Sequence, residues 1–305
     1  MELIHFEYHK NYNLGDLVIA MGEFDGLHLA HQELINRAIS YAKKINAKSA
    51  VFSFDPHPDF VLKKRNNQGY ITPLNVKIKA LETLGVDYFV LIPFTLEFSK
   101  VLPHEFEERV LSKFSIKRIV VGFDYRYGYR GSGNADTLKQ NFDVDVVQQI
   151  DFMNQKMGSN EIRELLLQGK IHEVTQMLGR YYNITGRVVS GNKVGRKMGI
   201  RTANVTLEEH YQILRKGVYA VFVNLNNRKY LGVCNIGNNP TVNYVEVPRL
   251  EVHILSFDEI IYNEIISVDF VEFLRDEIKF DSVDELINQI NEDIMKTREI
   301  LEENQ

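Results

Sequence analysis

Two histidines stand three residues apart in Met21-Gly22-Glu23-Phe24-Asp25-Gly26-Leu27-His28-Leu29-Ala30-His31, where an apolar run ends and a helical pattern begins. This placement suits phosphate chemistry. The run Leu17 to Met21 reads as a buried strand, Gly22 and Gly26 as turn residues, and His31 to Tyr41 as helical, so His28 and His31 share one face. A helix N-terminus presents free N–H groups and partial positive charge to a phosphate. Imidazoles beside it can donate to oxygens that gain charge as a nucleotide is cleaved. The competing reading is a strand-turn-helix with two solvated histidines.

Three further segments fall at the ends of expected strands, the edge where open α/β sheets bind ligands. In Phe54-Asp55-Pro56-His57-Pro58 two prolines stiffen an extended loop, and His57 either touches a ligand or serves that loop. Gly122-Phe123-Asp124-Tyr125-Arg126-Tyr127-Gly128 offers an acid, a base and two tyrosines, a set suited either to a planar ring with polar edges or to a packed aromatic turn. Gly158-Ser159-Asn160-Glu161-Ile162-Arg163 opens a helix. Ser159 is either its cap or, with Arg163 one turn in, part of a triphosphate clamp. Farther on, a glycine-rich loop over 191–204 ends in Thr202 and Asn204, two oxygen donors able to hold a hard cation such as magnesium. Glycine loops are also common connectors.

The elements that must position these groups follow from periodicity. From residue 17 to about 150, apolar runs alternate with amphipathic segments, the pattern of a parallel sheet covered by helices. Strands are expected at 17–21, 49–54, 88–93, 118–122 and 144–150, with helices at 32–44, 74–84 and 103–113. Helices at 159–168 and 171–178, each followed by glycine, form a linker. Beyond Ile184 the period becomes two, with strands at 184–190, 218–225, 229–235, 250–257 and 265–273 and a hairpin turn at Asn226-Asn227. Many short strands without intervening helices argue for a small antiparallel barrel. A closing helix is signalled by the capping pair Ser282 and Glu285 and by the stripe Val283, Leu286, Ile290, Ile294 and Leu301. The expected organisation is an α/β domain over 1–158, a helical linker over 159–182 and a barrel domain over 183–305.

A length of 305 residues suits two domains, and 44% hydrophobic with 25% charged residues places the chain among ordinary soluble globular proteins. The net charge of -5, without a basic tract, argues against a nucleic-acid partner. The single cysteine, Cys234, excludes an intramolecular disulfide and a multi-cysteine metal cluster; its neighbours Leu231, Val233 and Ile236 mark a packed strand. The N-terminus lacks a basic segment followed by an apolar core, and no apolar run approaches the roughly 20 residues of a membrane helix. A cytoplasmic protein without a membrane partner is expected. Nothing in the sequence fixes an oligomeric state.

Taken in order, these segments resemble the bacterial bifunctional riboflavin kinase/FMN adenylyltransferase (FAD synthetase) family over essentially the whole chain. The first is similar to the family's G-x-F-D-G-x-H-x-G-H, with Ala30 for the last glycine. Phe54 to Pro58 matches F-x-P-H-P, Gly122 to Gly128 is similar to G-x-D/N-F-x-F-G, and Gly158 to Arg163 is a degenerate S-S-T-x-I-R. The resemblance implies a Rossmann-like nucleotidyltransferase domain with a parallel sheet, followed by a riboflavin kinase-like antiparallel β-barrel with a terminal helix. It also implies ATP and FMN as substrates, riboflavin as a possible third, and Mg2+. The FMN phosphate attacks the α-phosphorus of ATP and releases pyrophosphate. His28 and His31 then meet the phosphates, Arg163 the leaving pyrophosphate, and Asp124 the flavin phosphate or the nucleotide. Gly22, Phe24, Asp25, Gly26, Phe54, Pro56, His57, Tyr125, Tyr127, Ser159 and Asn160 line the substrates.

The loop at 191–204 resembles the kinase signature G-x-x-x-G-R-x-L-G-F-P-T-A-N. Gly195 and Arg196 are its substrate-binding residues, Thr202 and Asn204 its metal ligands, and Glu251 matches the base acting on the riboflavin hydroxyl. Arg201 replaces the motif's proline, and Ile260-Ile261-Tyr262-Asn263 stands where the family has D-L-Y-G. Losing proline frees φ and puts a long cation beside the site, where it either disturbs or helps hold phosphate. The expectation is FAD synthesis with a weak or inactive kinase half. The alternatives are a fully bifunctional enzyme, a nucleotidyltransferase for another phosphorylated substrate, and a flavin-binding regulatory protein without turnover.

Overall fold

The computed structural model describes residues 1–63, 69–152, 155–190, 200–238 and 248–302. The chain divides into two compact units, Met1–Gln68 with Thr72–Ser159 and Gly69–Ile71 with Asn160–Gln305.

In the first unit, β1 (Glu2–His5), β2 (Asp16–Met21), β3 (Lys48–Asp55), β4 (Tyr88–Pro93), β5 (Ser115–Gly122) and β6 (Val144–Val147) form one parallel sheet in the order β1-β4-β3-β2-β5-β6. Strand β2 is central and covered on both sides. Leu17, Ile19 and Met21 join one core with Phe52, Val90 and Ile92; Val18 and Ala20 join the other with Val51, Phe89 and Leu91. This two-sided burial explains its unbroken apolar run. The helix α1 (Leu29–Lys44) adds Leu34, Ile35, Ala38, Ile39 and Ala42 to the second core, a stripe at helical spacing. From β2 the chain winds outward through β3 to β4, then returns to the opposite side of β2 for β5. The sheet therefore has its switch point between β2 and β5, where the carboxyl ends of the strands leave a crevice. The loops after β2 and β5 carry two of the motifs singled out above.

All five strands expected in this half are present, and β1 is an addition at the edge. Most differences lie at element ends. The expected strand at 144–150 stops at Val147, and α1 begins at Leu29 rather than residue 32. The helix expected at 103–113 divides into Pro103–Arg109 and a 3-10 turn, Leu111–Lys113.

The second unit is a closed six-stranded antiparallel barrel of β7 (Tyr182–Val189), β8 (Ala203–Leu207), β9 (Gly217–Leu225), β10 (Arg228–Asn238), β11 (Pro248–Ile254) and β12 (Ile265–Arg275), in the order β7-β8-β11-β10-β9-β12. Both residues of the Asn226-Asn227 turn have left-handed backbone, φ 48° and 61°, as a two-residue hairpin with native twist requires. Cys234 is buried on β10 and its thiol pKa is pushed up by that burial, so it packs as a small apolar group. The helices Ser159–Gln168 and Ile171–Leu178 keep the expected limits, and the second packs on the barrel through β7 and β12. An excursion from the first half, Gly69–Ile71, belongs to this unit: Tyr70 N donates to the His210 carbonyl at 2.7 Å and Gln212 N to the Tyr70 carbonyl at 2.8 Å.

The terminal helix Val283–Glu302 closes one side of the barrel. Ile294 packs on Val218, Val233 and Leu255, and Leu301 on Ala220, Phe222 and Val271. Val283, expected on the apolar stripe, is 58% exposed because the helix start lies ahead of these contacts. The capping pair is offset: Ser282 Oγ accepts from Glu285 N at 3.2 Å, but the Glu285 carboxylate accepts from Asp281 N, also at 3.2 Å. The buried Asp293 accepts Arg275 Nε at 3.0 Å and Nη2 at 2.8 Å. Removing one partner strands a poorly solvated charge, so Asp293→Ala is expected to lose about 3 kcal/mol. Urea unfolding of the barrel reads this as a lower midpoint; an unchanged midpoint would leave apolar contacts alone holding the helix.

Candidate active sites

The loop between β2 and α1 is held in an unusual backbone. Phe24 (φ 51°), Gly26 (φ 92°) and Leu27 (φ 44°) are all left-handed. Only glycine adopts this freely; each of the other two costs on the order of 1 kcal/mol. Complete burial of the Phe24 and Leu27 side chains in the core beneath α1 offsets that cost. The chain then reaches His28, which is the N-cap of α1 rather than part of a helical face. Its Nδ1 accepts from His31 N at 3.4 Å, which places the His28 proton on Nε2. The two rings stack at 3.7 Å between centroids, 20° from parallel, and His31 meets the Phe24 ring edge-on at 5.3 Å. Buried His31 Nδ1 has no hydrogen-bond partner among the described residues. Burial holds the His31 pKa well below 6.5, and repulsion from its neighbours, the Lys77 ammonium among them, adds to the effect. A neutral imidazole with an unspent nitrogen at a helix N-terminus fits an oxygen-rich anion.

The residues beneath this loop hold it. Asp25 accepts from Thr72 N at 3.1 Å through Oδ1, and its carbonyl accepts from Ser159 Oγ at 2.7 Å. Ser159, expected as a cap or a clamp, thus also serves the loop. Buried Lys77, on the helix Leu74–Leu84, donates to the Glu23 carbonyl at 2.8 Å. Burial lowers its pKa, and the carboxylates of Asp25, Glu23 and Asp55 oppose that. Sequence reasoning missed Lys77, although a lysine on the buried face beside Ile78 and Leu81 is a visible signal.

His57 caps the short helix Pro58–Val61, its Nδ1 accepting from Asp59 N at 3.1 Å, while Nε2 lies 2.5 Å from the Glu23 carboxylate. Ligand atoms of Glu23, His57 and Asp59 lie within 4.8 Å of one another. With Nδ1 accepting, however, Nε2 carries the ring proton and faces Glu23 as a charge contact. A cation at Nε2 would need that proton to leave. Phe54 packs among Phe94, Phe98 and Phe106, and Pro56 beside it is exposed.

After β5, Asp124 pairs with Lys156 at 2.6 Å on the surface. Tyr125 stacks on Tyr127 at 5.9 Å. Tyr127, expected to meet substrate, is instead a core residue, 4% exposed, with its hydroxyl donating to the Glu107 carboxylate. The exposed ring of this segment is Phe123, with the Lys156 ammonium 5.4 Å from its centroid. Asn160, exposed, and Arg163, buried, lie on the helix Ser159–Gln168 within the second unit.

In the barrel, Glu251 on β11 stands directly opposite Asn204 on β8 and opposite Asn235 on β10. Antiparallel pairing puts these three side chains on one face. A pocket of about 120 Å³ opens beside them, lined by Thr202, Asn204 and Val252 and by Arg201, Ile260 and Tyr262. Glu251 is not in its lining but adjoins Val252. Gly195 and Arg196 lie outside the described residues.

A riboflavin kinase family model matches residues 178–301, and an FAD synthetase model matches residues 10–161. The bifunctional riboflavin kinase/FMN adenylyltransferase of Listeria monocytogenes is 37% identical over 286 residues, covering 92% of this chain and 91% of that protein. The Bacillus subtilis protein of the same name is 35% identical over 283 residues, covering 90% of each. A crystal structure from Streptococcus pneumoniae, described as a macrolide-efflux protein, superposes with a TM-score of 0.91 at 31% identity over 98% of this chain and 99% of that one. Among the described residues of this chain, no helix is long and apolar enough to cross a membrane. With a parallel-sheet unit matched by one family model, a barrel unit by the other, and relatives aligned almost end to end, the chain belongs to the bifunctional riboflavin kinase/FMN adenylyltransferase family.

Proposed function

We propose that the chain is a fully bifunctional enzyme, in which ATP phosphorylates riboflavin at the barrel and then adenylylates FMN at the parallel-sheet unit. This replaces the expectation of a weak or inactive kinase half. The presence of both family domains favours it, and the guanidinium of Arg201, which with the Ile260–Asn263 turn gave that expectation, is committed to a backbone carbonyl of the neighbouring loop, that of Asp258.

At the first unit, an FMN phosphate oxygen forms a bond to the α-phosphorus of ATP as the α–β bridging bond breaks and pyrophosphate leaves. No protein nucleophile is needed, so catalysis is positioning and charge stabilisation. The observation that carries this assignment is the stacked pair at the start of α1: His28 as the cap, proton on Nε2, and neutral His31 with an unspent nitrogen. Both act as hydrogen-bonding groups to the phosphates, and the α1 N-terminus adds its field. Lys77, Asp25 and Ser159 keep the loop in place.

At the barrel, Glu251 takes the proton of the riboflavin hydroxyl as its oxygen attacks the γ-phosphorus of ATP and ADP departs. Thr202 and Asn204 present hard oxygen donors on one pocket wall, a set that fits magnesium, which binds few protein oxygens and keeps waters and phosphates. When bound, the ion neutralises phosphate charge.

Incubating the protein with riboflavin, ATP and magnesium and separating flavins over time tests the reading. FMN is expected to rise and then give way to FAD; with FMN as the starting flavin, FAD and pyrophosphate form together. FAD from riboflavin with no FMN intermediate would contradict the scheme, because riboflavin lacks the attacking phosphate. FAD from FMN alone would restrict the enzyme to one activity.

A further inference from the structure

The two departures from the kinase motif meet in space. Arg201 Nη1 donates to the carbonyl of Asp258, the residue that opens the loop leading into Ile260–Asn263. The Arg201 carbonyl in turn accepts from His253 Nδ1 at 2.7 Å, and His253 lies on β11 two residues beyond Glu251. The far end of the loop is fastened to β7: Asn263 N donates to the Val188 carbonyl at 2.9 Å and Arg187 Nη1 to the Asn263 carbonyl at 2.8 Å. Between these anchors, residues 259–262 form one wall of the pocket that carries Thr202 and Asn204. Ile260 is 80% exposed and Tyr262 47%, so burial does little to hold that wall in place. The hydrogen bonds at its two ends set its position.

Proline stiffens a segment by fixing its own φ, whereas an arginine bridging to a carbonyl stiffens two segments at once. We propose that Arg201 is a positioning residue of the kinase reaction, a strap that fixes the 258–262 loop as the wall of the ATP side of the pocket, so that the two departures compensate each other. The proposal rests on the bifunctional reading.

Riboflavin phosphorylation is measured in the full chain, with adenylyl transfer to FMN as the internal control for folding. A charge-assisted bond to a carbonyl supports an effect of roughly tenfold, so Arg201→Ala is expected to raise KM for ATP by about that factor with kcat unchanged. Arg201→Lys, which keeps one donor, recovers part of the loss; Arg201→Pro does no better than alanine. Hydrogen exchange in the ligand-free protein is expected to quicken at the amides of residues 259–262 in Arg201→Ala. An unchanged KM and unchanged exchange in Arg201→Ala overturn the strap, and so does an Arg201→Pro variant faster than the native chain, which would make Arg201 a lesion. A native chain that makes no FMN from riboflavin overturns the bifunctional reading and the strap's role together, and is told apart by the native measurement alone.

Discussion

His31→Ala is expected to slow adenylyl transfer from ATP to FMN by about 100-fold or more, the scale on which a single donor to transition-state charge is lost. The effect should fall on kcat, because the oxygens that His31 is proposed to meet gain charge only as the α–β bond breaks. Riboflavin phosphorylation by the same chain should not change. His31 stacks on His28 and touches Phe24, so alanine also removes packing at the loop. The unaltered kinase rate and an unfolding curve separate that contribution from chemistry. Normal FAD formation in a folded variant would remove His31 from the mechanism.

The second large effect is expected at the other unit. Glu251→Gln keeps the size and hydrogen-bonding capacity of the side chain opposite Asn204 and Asn235 but cannot accept the hydroxyl proton. Loss of a positioned general base costs about 10²- to 10⁴-fold, so FMN production from riboflavin should fall by that order while FAD production from supplied FMN continues. The opposite pattern, with kinase kept and adenylyl transfer lost, would reverse the assignment of the two reactions to the two units.

The parallel sheet was legible because β2 to β5 are buried on both faces and so carry apolar runs that no loop would tolerate. The hairpin at Asn226-Asn227 was legible because few residues accept two successive left-handed conformations. The start of α1 was not, since the cap is a histidine whose ring nitrogen does what a serine hydroxyl ordinarily does. Strand β8 was hidden by its polar alternation, Asn204 and Thr206 between Ala203, Val205 and Leu207, directly after a glycine loop. Among the aromatics after β5, residue type alone does not tell which ring turns inward. Tyr127 went to the core and Phe123 to the surface, the reverse of what a phenolic hydroxyl suggests, because Glu107 waits inside to accept it. In the kinase half, Arg201 read as damage because the carbonyl it reaches lies 57 residues away along the chain.

The short segment Gly69–Ile71 bears on how such a protein is made and inherited. It leaves the ribosome well before His210 and Gln212, whose backbone groups it satisfies. Gly69 lies so close to Tyr211 that a methyl group in place of its hydrogen would sit 2.1 Å from the Tyr211 backbone. Translation thus delivers a piece of the later unit early, and the connection around His210 and Gln212, between two barrel strands, pairs with a segment made long before those strands. A gene fragment beginning at Asn160 encodes every barrel strand yet leaves the His210 carbonyl and the Gln212 amide without these partners. Recombination at the obvious boundary would therefore exchange a second unit that lacks the Gly69–Ile71 segment.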